Sequence, residues 1–397
     1  MVLNPPHRHW DEIIREAESI VGYPTSFMNL RWLLSDEFAN MALYLRKLVG
    51  SNHPILQTAK NVLYNEHNNF QPWGLAILLL SESIKKPQSN SILDNTVVEN
   101  QRKLAELIEM IRTGHFIHKG ILNAPTDDRT DKTESALFGN KLAILIGDYL
   151  LVTAYGMLAK IRNHDLSYMV CAALRDMSEG QFYGARDEQN MPLPGLTNER
   201  TIIEDVFEIT VDTLSIDTKD TLGYPVREWT VRGMFNGASL LGRGCQGAML
   251  LGKQKLEMQE QAYRFGSHLF LAWQAASDLQ KTTLDNKEPF CLVSAPVLFA
   301  LDRKKDLCTI LEQAKNGLGA IDSDKLKVQI LKTDAVQRTR MLYEEHSIKA
   351  NDCLKIFGKG KSIDTIKRHA TFRDEPGNVC RTSLYISNYD PPTVPHA

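Results

Sequence analysis

From Gln101 to Asn123 the chain reads QRKLAELIEMIRTGHFIHKGILN, with apolar residues at Leu104, Leu107, Ile108, Ile111, Ile117, Ile121 and Leu122. That period is helical, with one broad apolar face, and it lacks the alternation of a strand. Glu99 and Lys103 sit four apart, and Glu109 and Arg112 three apart, as charged pairs do along a helix surface. His115, His118 and Lys119 place positive charge near the C-terminal end, where the helix dipole favours it. Ala124-Pro125-Thr126-Asp127 is expected to end the helix. A helix this long and one-sided needs other helices to cover it.

The rest of the chain supplies them. Helical patterns are expected over Asp11–Val21, Ser35–Val49, His53–Glu66, Pro72–Ser83, Asp165–Gly184, Glu228–Leu251, Gln254–Gln280, Pro296–Leu301, Asp306–Asn316, Asp322–Ile330 and Asp334–Phe357. Phe138–Arg162 is apolar almost all round, which predicts a core helix. Strand-like alternation is almost absent and there is no internal repeat, so the fold class is all-α, a single bundle of roughly ten or more helices. Residues 1–10 read as a lead-in, 11–370 as the bundle, and 371–397, with its prolines, as a flexible tail.

Composition removes several function classes. The net charge of −2 argues against general nucleic-acid binding. The six cysteines contain no CxxC pair, so a zinc site is not expected. No uninterrupted apolar run reaches the roughly 18 residues of a membrane helix, so no transmembrane segment is expected. Met1–Trp10 lacks the Arg- and Ser-rich character of an import leader.

The opening helix also carries a motif. EMIRTGHFIHKGILN resembles the stretch of trans-prenyl diphosphate synthases in which a histidine is followed directly by D-D-x-x-D. Glu109, Ile111, Thr113 and His118 keep the frame. Phe138–Leu151 resembles that family's GNK…GDxLL helix, and Ala262-Tyr263-Arg264-Phe265-Gly266 its A-(Y/F)-x-(Y/F)-G. The resemblance spans roughly residues 10–372 and implies the trans-prenyl synthase type of helical bundle.

It also implies a chemistry that this chain has lost. In the family, aspartates on two facing helices hold Mg²⁺ ions, which grip an allylic diphosphate. Mg²⁺ needs hard oxygen ligands and acts as a Lewis acid on the leaving group. At the first Asp motif the matching positions are Lys119, Gly120 and Asn123. At the second they are Ser277, Asp278 and Lys281, where only one carboxylate survives. The diphosphate-binding G-K-x-x-R-P element appears with Asn68 and Gln71, and K-T-A-S-L as Asn236-Gly237-Ala238-Ser239-Leu240. Residues that shape the fold match, while those that hold metal and diphosphate fail at four places. The resemblance therefore implies no catalytic residue and no metal in this chain. Lys119 could alternatively pair with a diphosphate itself. A literal DDxxD at Asp127, Asp128 and Asp131 lies beyond the helix-ending proline and reads as a solvated loop.

The blocks at Glu16–Arg31, Leu33–Glu37 and Arg46–Gly50 narrow the resemblance to the non-catalytic second subunits of decaprenyl diphosphate synthases. That implies a catalytic first subunit as partner, with Mg²⁺ and the isoprenoid diphosphates bound there, in a hetero-oligomer, a heterotetramer. It further implies a mitochondrial role in making the ubiquinone side chain. Two other readings stay open: an independent prenyltransferase with a rebuilt site, and an adaptor or lipid-binding bundle that has left the synthase.

Minor features have plainer expectations. His115 and His118 read as a structural or interface pair. Asp148 is expected to find a partner other than Lys141. Arg227, Arg232 and Arg243 read as a solvated face rather than a phosphate patch.

Overall fold

The computed structural model describes residues 15–22, 73–85, 92–123, 131–195, 205–211, 215–283, 291–304, 307 and 322–370. The predicted helices over 35–49, 53–66 and 306–316 lie outside these residues. So do the tail 371–397, Asn68, Gln71 and the Asp127–Asp128 loop.

Among the described residues the fold is all-α. After a helical stretch at 15–21 come α1 (Trp73–Ser83), α2 (Ile92–Lys119), α3 (Asp131–Ile161), α4 (His164–Glu179), α5 (Pro225–Gly233), α6 (Ser239–Leu251), α7 (Leu256–Lys281), α8 (Ala295–Arg303), α9 (Ser323–Leu331), α10 (Ala335–Cys353) and α11 (Lys361–Ala370). A single isolated bridge, Arg186 with Pro192, is the only strand-type pairing among these residues. Local chemistry sets several boundaries. Asn163 caps α4 by accepting from Leu166 N at 2.9 Å, and Asp322 caps α9 through Lys325 N at 3.0 Å. Pro225 and Pro296 sit in the first turns of α5 and α8, where a missing N–H costs nothing.

The core forms where α7 packs between α6 and α10, while α2 lies against α1, α3 and α6. Leu104, Leu107, Ile108 and Ile111 of α2 are buried, as the pattern demands. Between α6 and α7 the backbones almost touch. A Cβ on Gly266 would lie 2.8 Å from Leu241 O and 2.9 Å from Gly242 Cα. The glycine of the A-Y-R-F-G motif is therefore a packing requirement. Between α5 and α6 the helix widens into a π-turn, Met234–Ala238. Gly237 has φ +154° there, and a Cβ on it would strike the Trp73 ring. Such turns recur at functional sites, and this one carries Asn236.

Two expectations change. α2 starts at Ile92, well before Gln101, and stops at Lys119 with a turn at Gly120 rather than at Pro125. α3 is not a core helix all round. Leu137, Ile144, Leu145, Tyr149, Val152 and Tyr155 are exposed, and Val152 is 67% so. By length and composition α3 is apolar enough to cross a membrane, yet it packs along α2 with its other face. Its second apolar face lacks a helix to cover it among the described residues.

Candidate functional site

The first site sits where α2 ends. Glu109 and Arg112 are both buried and pair at 3.3 Å, and Glu109 also accepts from Gly74 N at 2.8 Å. Burial raises the Glu109 carboxyl above its ordinary value, against the pull of Arg112. The guanidinium of Arg112 lies 4.6 Å from the Trp73 ring centre. One and two turns on, His115 and His118 face different surroundings. His118 Nε2 lies 3.3 Å from both Ile144 O and Asp148 Oδ1, so Asp148 finds its partner on the neighbouring helix. That contact needs Gly147, whose Cβ would overlap the imidazole. His115 Nε2 is buried with no hydrogen-bond partner, and burial pulls its pKa down to about 2.

Lys119, in the place of the first family aspartate, donates to Asn236 Oδ1 at 2.9 Å. Two substituted positions from different motifs thus meet, with an amine on one and an amide on the other. Burial, then repulsion from Arg186, lowers the Lys119 pKa to about 8. Asn123 does not point at this pair. Its side chain donates to Glu188 O at 2.6 Å and ties the 185–190 loop to the end of α2. Asn140, from the GNK motif, braces the same end by donating to Leu122 O at 2.7 Å and accepting from Leu122 N at 2.8 Å.

The second site is buried in the α5–α7–α8 junction. Asp278 Oδ2 accepts from Trp229 Nε1 and from Ala295 N, each at 2.9 Å, and Oδ1 accepts from Gln274 Nε2 at 2.9 Å. The carboxylate thus joins α7 to α5 and to the first turn of α8. Burial raises its pKa despite these donors. Ser277 is buried beside it, and Lys281 lies one turn further on, in the place of the last aspartate.

These donor sets do not fit Mg²⁺. The first offers an ammonium and amides, and the second a carboxylate whose oxygens are already taken by protein donors. Among the described residues no three His, Cys, Asp or Glu side chains converge as metal ligands.

Sequence reasoning misplaced the arginines. Arg232 and Arg243 are buried, not solvated. Arg232 pairs with Glu228 at 2.8 Å and donates to Leu193 O at 2.9 Å, while Glu228 also accepts from Gly223 N at 2.8 Å. Arg243 donates to Gln246 at 2.7 Å and covers the Tyr263 ring. The i, i+4 spacing of Glu228 and Arg232 was the available signal. Two other features were missed: the charge of Arg186 acting on Lys119, and a buried pair of histidines, His268 and His346, whose Nδ1 atoms lie 2.9 Å apart. Burial lowers both imidazole pKa values, that of His268 to about 3.

The family pattern of polyprenyl synthetases matches residues 74–206. The mouse and human proteins named all trans-polyprenyl-diphosphate synthase PDSS2 are each 32% identical over 359 residues, covering 88% of this chain and 83% of theirs. A probable mitochondrial hexaprenyl pyrophosphate synthase of Yarrowia lipolytica is 23% identical, covering 91% of this chain and 88% of its own. The fold is also that of a Caulobacter crescentus polyprenyl synthase crystallised with calcium and isoprenyl diphosphate. The TM-score is 0.55 at 16% identity, over 89% of this chain and 97% of that one. With its helical bundle, its retained packing motifs and this extent of identity, the chain belongs to the polyprenyl synthetase family.

Proposed function

We propose that this chain is the non-catalytic subunit of a hetero-oligomeric all-trans-polyprenyl diphosphate synthase that makes the ubiquinone side chain. The observation that carries the reading is the Lys119–Asn236 hydrogen bond. A cation stands where a metal-binding carboxylate is needed, and its partner is an amide. Asp278, the surviving carboxylate, is occupied as a core acceptor. In this reading Mg²⁺ and both diphosphates are held by a catalytic first subunit. There the allylic diphosphate ionises, the isopentenyl double bond attacks and a proton is lost.

The open face of α3 supports a partner. Leu145, Tyr149, Val152 and Tyr155 form a contiguous apolar strip of the kind that marks an interaction site. A catalytic subunit of the same fold offers a helix of matching length, giving a heterotetramer when two such pairs associate. The mitochondrial hexaprenyl synthases of Yarrowia lipolytica and Neurospora crassa among the relatives support a mitochondrial location.

Co-expression with the catalytic paralogue of the same organism tests the reading. A stable complex of both chains is expected, and Val152→Glu with Leu145→Glu should disperse it while leaving this chain folded. Failure to co-purify under conditions where both chains are folded favours the adaptor bundle instead.

A further inference from the structure

Away from the two degenerate motifs, one buried carboxylate oxygen lacks a donor. Asp176, in the last turn of α4, is 4% exposed. Its Oδ2 accepts from Ser239 Oγ at 2.5 Å, while its Oδ1 is buried with no hydrogen-bond partner. Arg175 Nη2 lies 3.7 Å from Oδ1, beyond hydrogen-bond reach. A buried acceptor left this way costs stability until something donates to it.

Asp176 lines a cavity of about 220 Å³. The buried side of the lining is Asp176, Met234 and Tyr263, from α4, the π-turn and α7. Phe207, Ile209 and Ile216 supply apolar wall, and Glu208 and Asp217 stand on the exposed side. The wall segments are braced. Asp205 accepts from Val226 N and Arg227 N at the start of α5, each at 3.1 Å, and Thr221 Oγ1 meets Tyr183 Oη at 2.5 Å. None of Lys119, Asn236 and Asp278 lines this cavity, so it is separate from both degenerate motifs. An apolar cavity of about 150 Å³ takes up benzene, so this one has room for a ring with a short polar group.

Charge decides which polar group. The lining carries the carboxylates of Asp176, Glu208 and Asp217 against Lys219 and Arg227. Lys219 is exposed, and the Arg227 guanidinium lies 5.8 Å from the Tyr224 ring centre. Arg243, whose charge reaches Asp176, is turned onto Gln246 and the Tyr263 ring. Burial raises the Asp176 carboxyl above its ordinary value, although Ser239, Arg175 and Arg243 pull the other way. An anion on the buried side would face this carboxylate, and an apolar molecule would leave Oδ1 unpaired. We propose that the Asp176 cavity binds a small organic cation, an ammonium or amidinium on a compact apolar body, with its N–H groups on Oδ1. The site is independent of the non-catalytic reading.

Isothermal titration calorimetry of the full chain tests it, with benzamidine hydrochloride as the probe and benzamide as the uncharged control of the same shape. Saturable binding of benzamidine with a Kd of about 1 mM or tighter is expected. Benzamide should bind about tenfold more weakly or worse, the scale of one charged hydrogen bond. Asp176→Asn keeps an acceptor for Ser239 Oγ but removes the charge, and should weaken benzamidine about tenfold or more. Glu208→Lys, on the exposed side, should weaken it about threefold, and more at low salt than at high. If Asp176→Asn fails to fold, Glu208→Lys and the benzamide comparison carry the test. No saturable binding of benzamidine, benzamide binding as tightly, or folded variants that bind like the parent would overturn the proposal.

Discussion

Asp278 is the residue whose substitution separates a core acceptor from a remnant of a metal site. In Asp278→Ala the buried donors Trp229 Nε1 and Ala295 N lose their acceptor, and Gln274 loses its own. Each buried, unpaired donor costs about 1–3 kcal/mol, so the two buried donors together cost about 2–6 kcal/mol. Asp278→Asn should behave differently. Its carbonyl oxygen can accept from Trp229 and Ala295 as Oδ2 does now. Its amide nitrogen would then face Gln274, whose Oε1 is buried without a partner. A flip of the Gln274 amide supplies the missing acceptor. The variant also removes a carboxyl that burial disfavours when charged. Stability within about 1 kcal/mol of the parent is therefore expected. Urea denaturation of the purified chain gives both values, and prenyl transfer by the two-subunit complex gives the functional one. The complex should work normally with Asp278→Asn. An Asn variant that is folded, joins the complex and abolishes transfer would refute the reasoning, because only a ligand role needs the charge.

Gly266→Ala should lower stability by about 1–3 kcal/mol, since its Cβ meets Leu241 O and Gly242 Cα on the facing helix and neither can move alone; a fall in the urea midpoint would register it. Asn140→Ala should cost about 1–2 kcal/mol and speed hydrogen exchange at Leu122 N, which loses its acceptor. Acid should destabilise the chain through His115, His268 and His346. Their folded pKa values lie below the ordinary value, so the stability they contribute is complete above about pH 6.5 and is lost as pH falls, because the unfolded chain takes up the protons first. Each contributes a slope of up to about 1.4 kcal/mol per pH unit, and His268→Gln should flatten the pH dependence of the urea midpoint between pH 6.5 and 5. The raised carboxyls of Glu109 and Asp278 act with the opposite sign, so the comparison with the parent isolates the histidine.

Much of this was legible in the sequence because helices announce themselves locally. The apolar period of α2, the glycine of A-Y-R-F-G and the asparagine of GNK all occupy the structural roles their motifs suggest. The start of α2 was not legible, because Asp94, Asn95, Thr96 and Asn100 look like a connector until Leu104 and its successors are seen to continue the same helix. The open face of α3 was hidden by its composition. An apolar sequence does not say whether its second face meets this chain or another. The buried arginines were missed for the converse reason. Charge usually lies outside, and a tertiary contact such as that of Arg232 with Leu193 O is what draws it in. Most informative was the meeting of Lys119 with Asn236, 117 residues apart. The substitutions could be read one by one, but their juxtaposition belongs to the fold.

On the proposed function, this chain works only through a partner. Prenyl transfer should be measured for the purified chain alone and for the chain co-expressed with its catalytic paralogue, at equal protein concentration and with Mg²⁺ present. No product is expected from the chain alone, and long-chain product is expected from the complex. Product from the chain alone, lost when Asp127, Asp128 and Asp131 are replaced together, would contradict it.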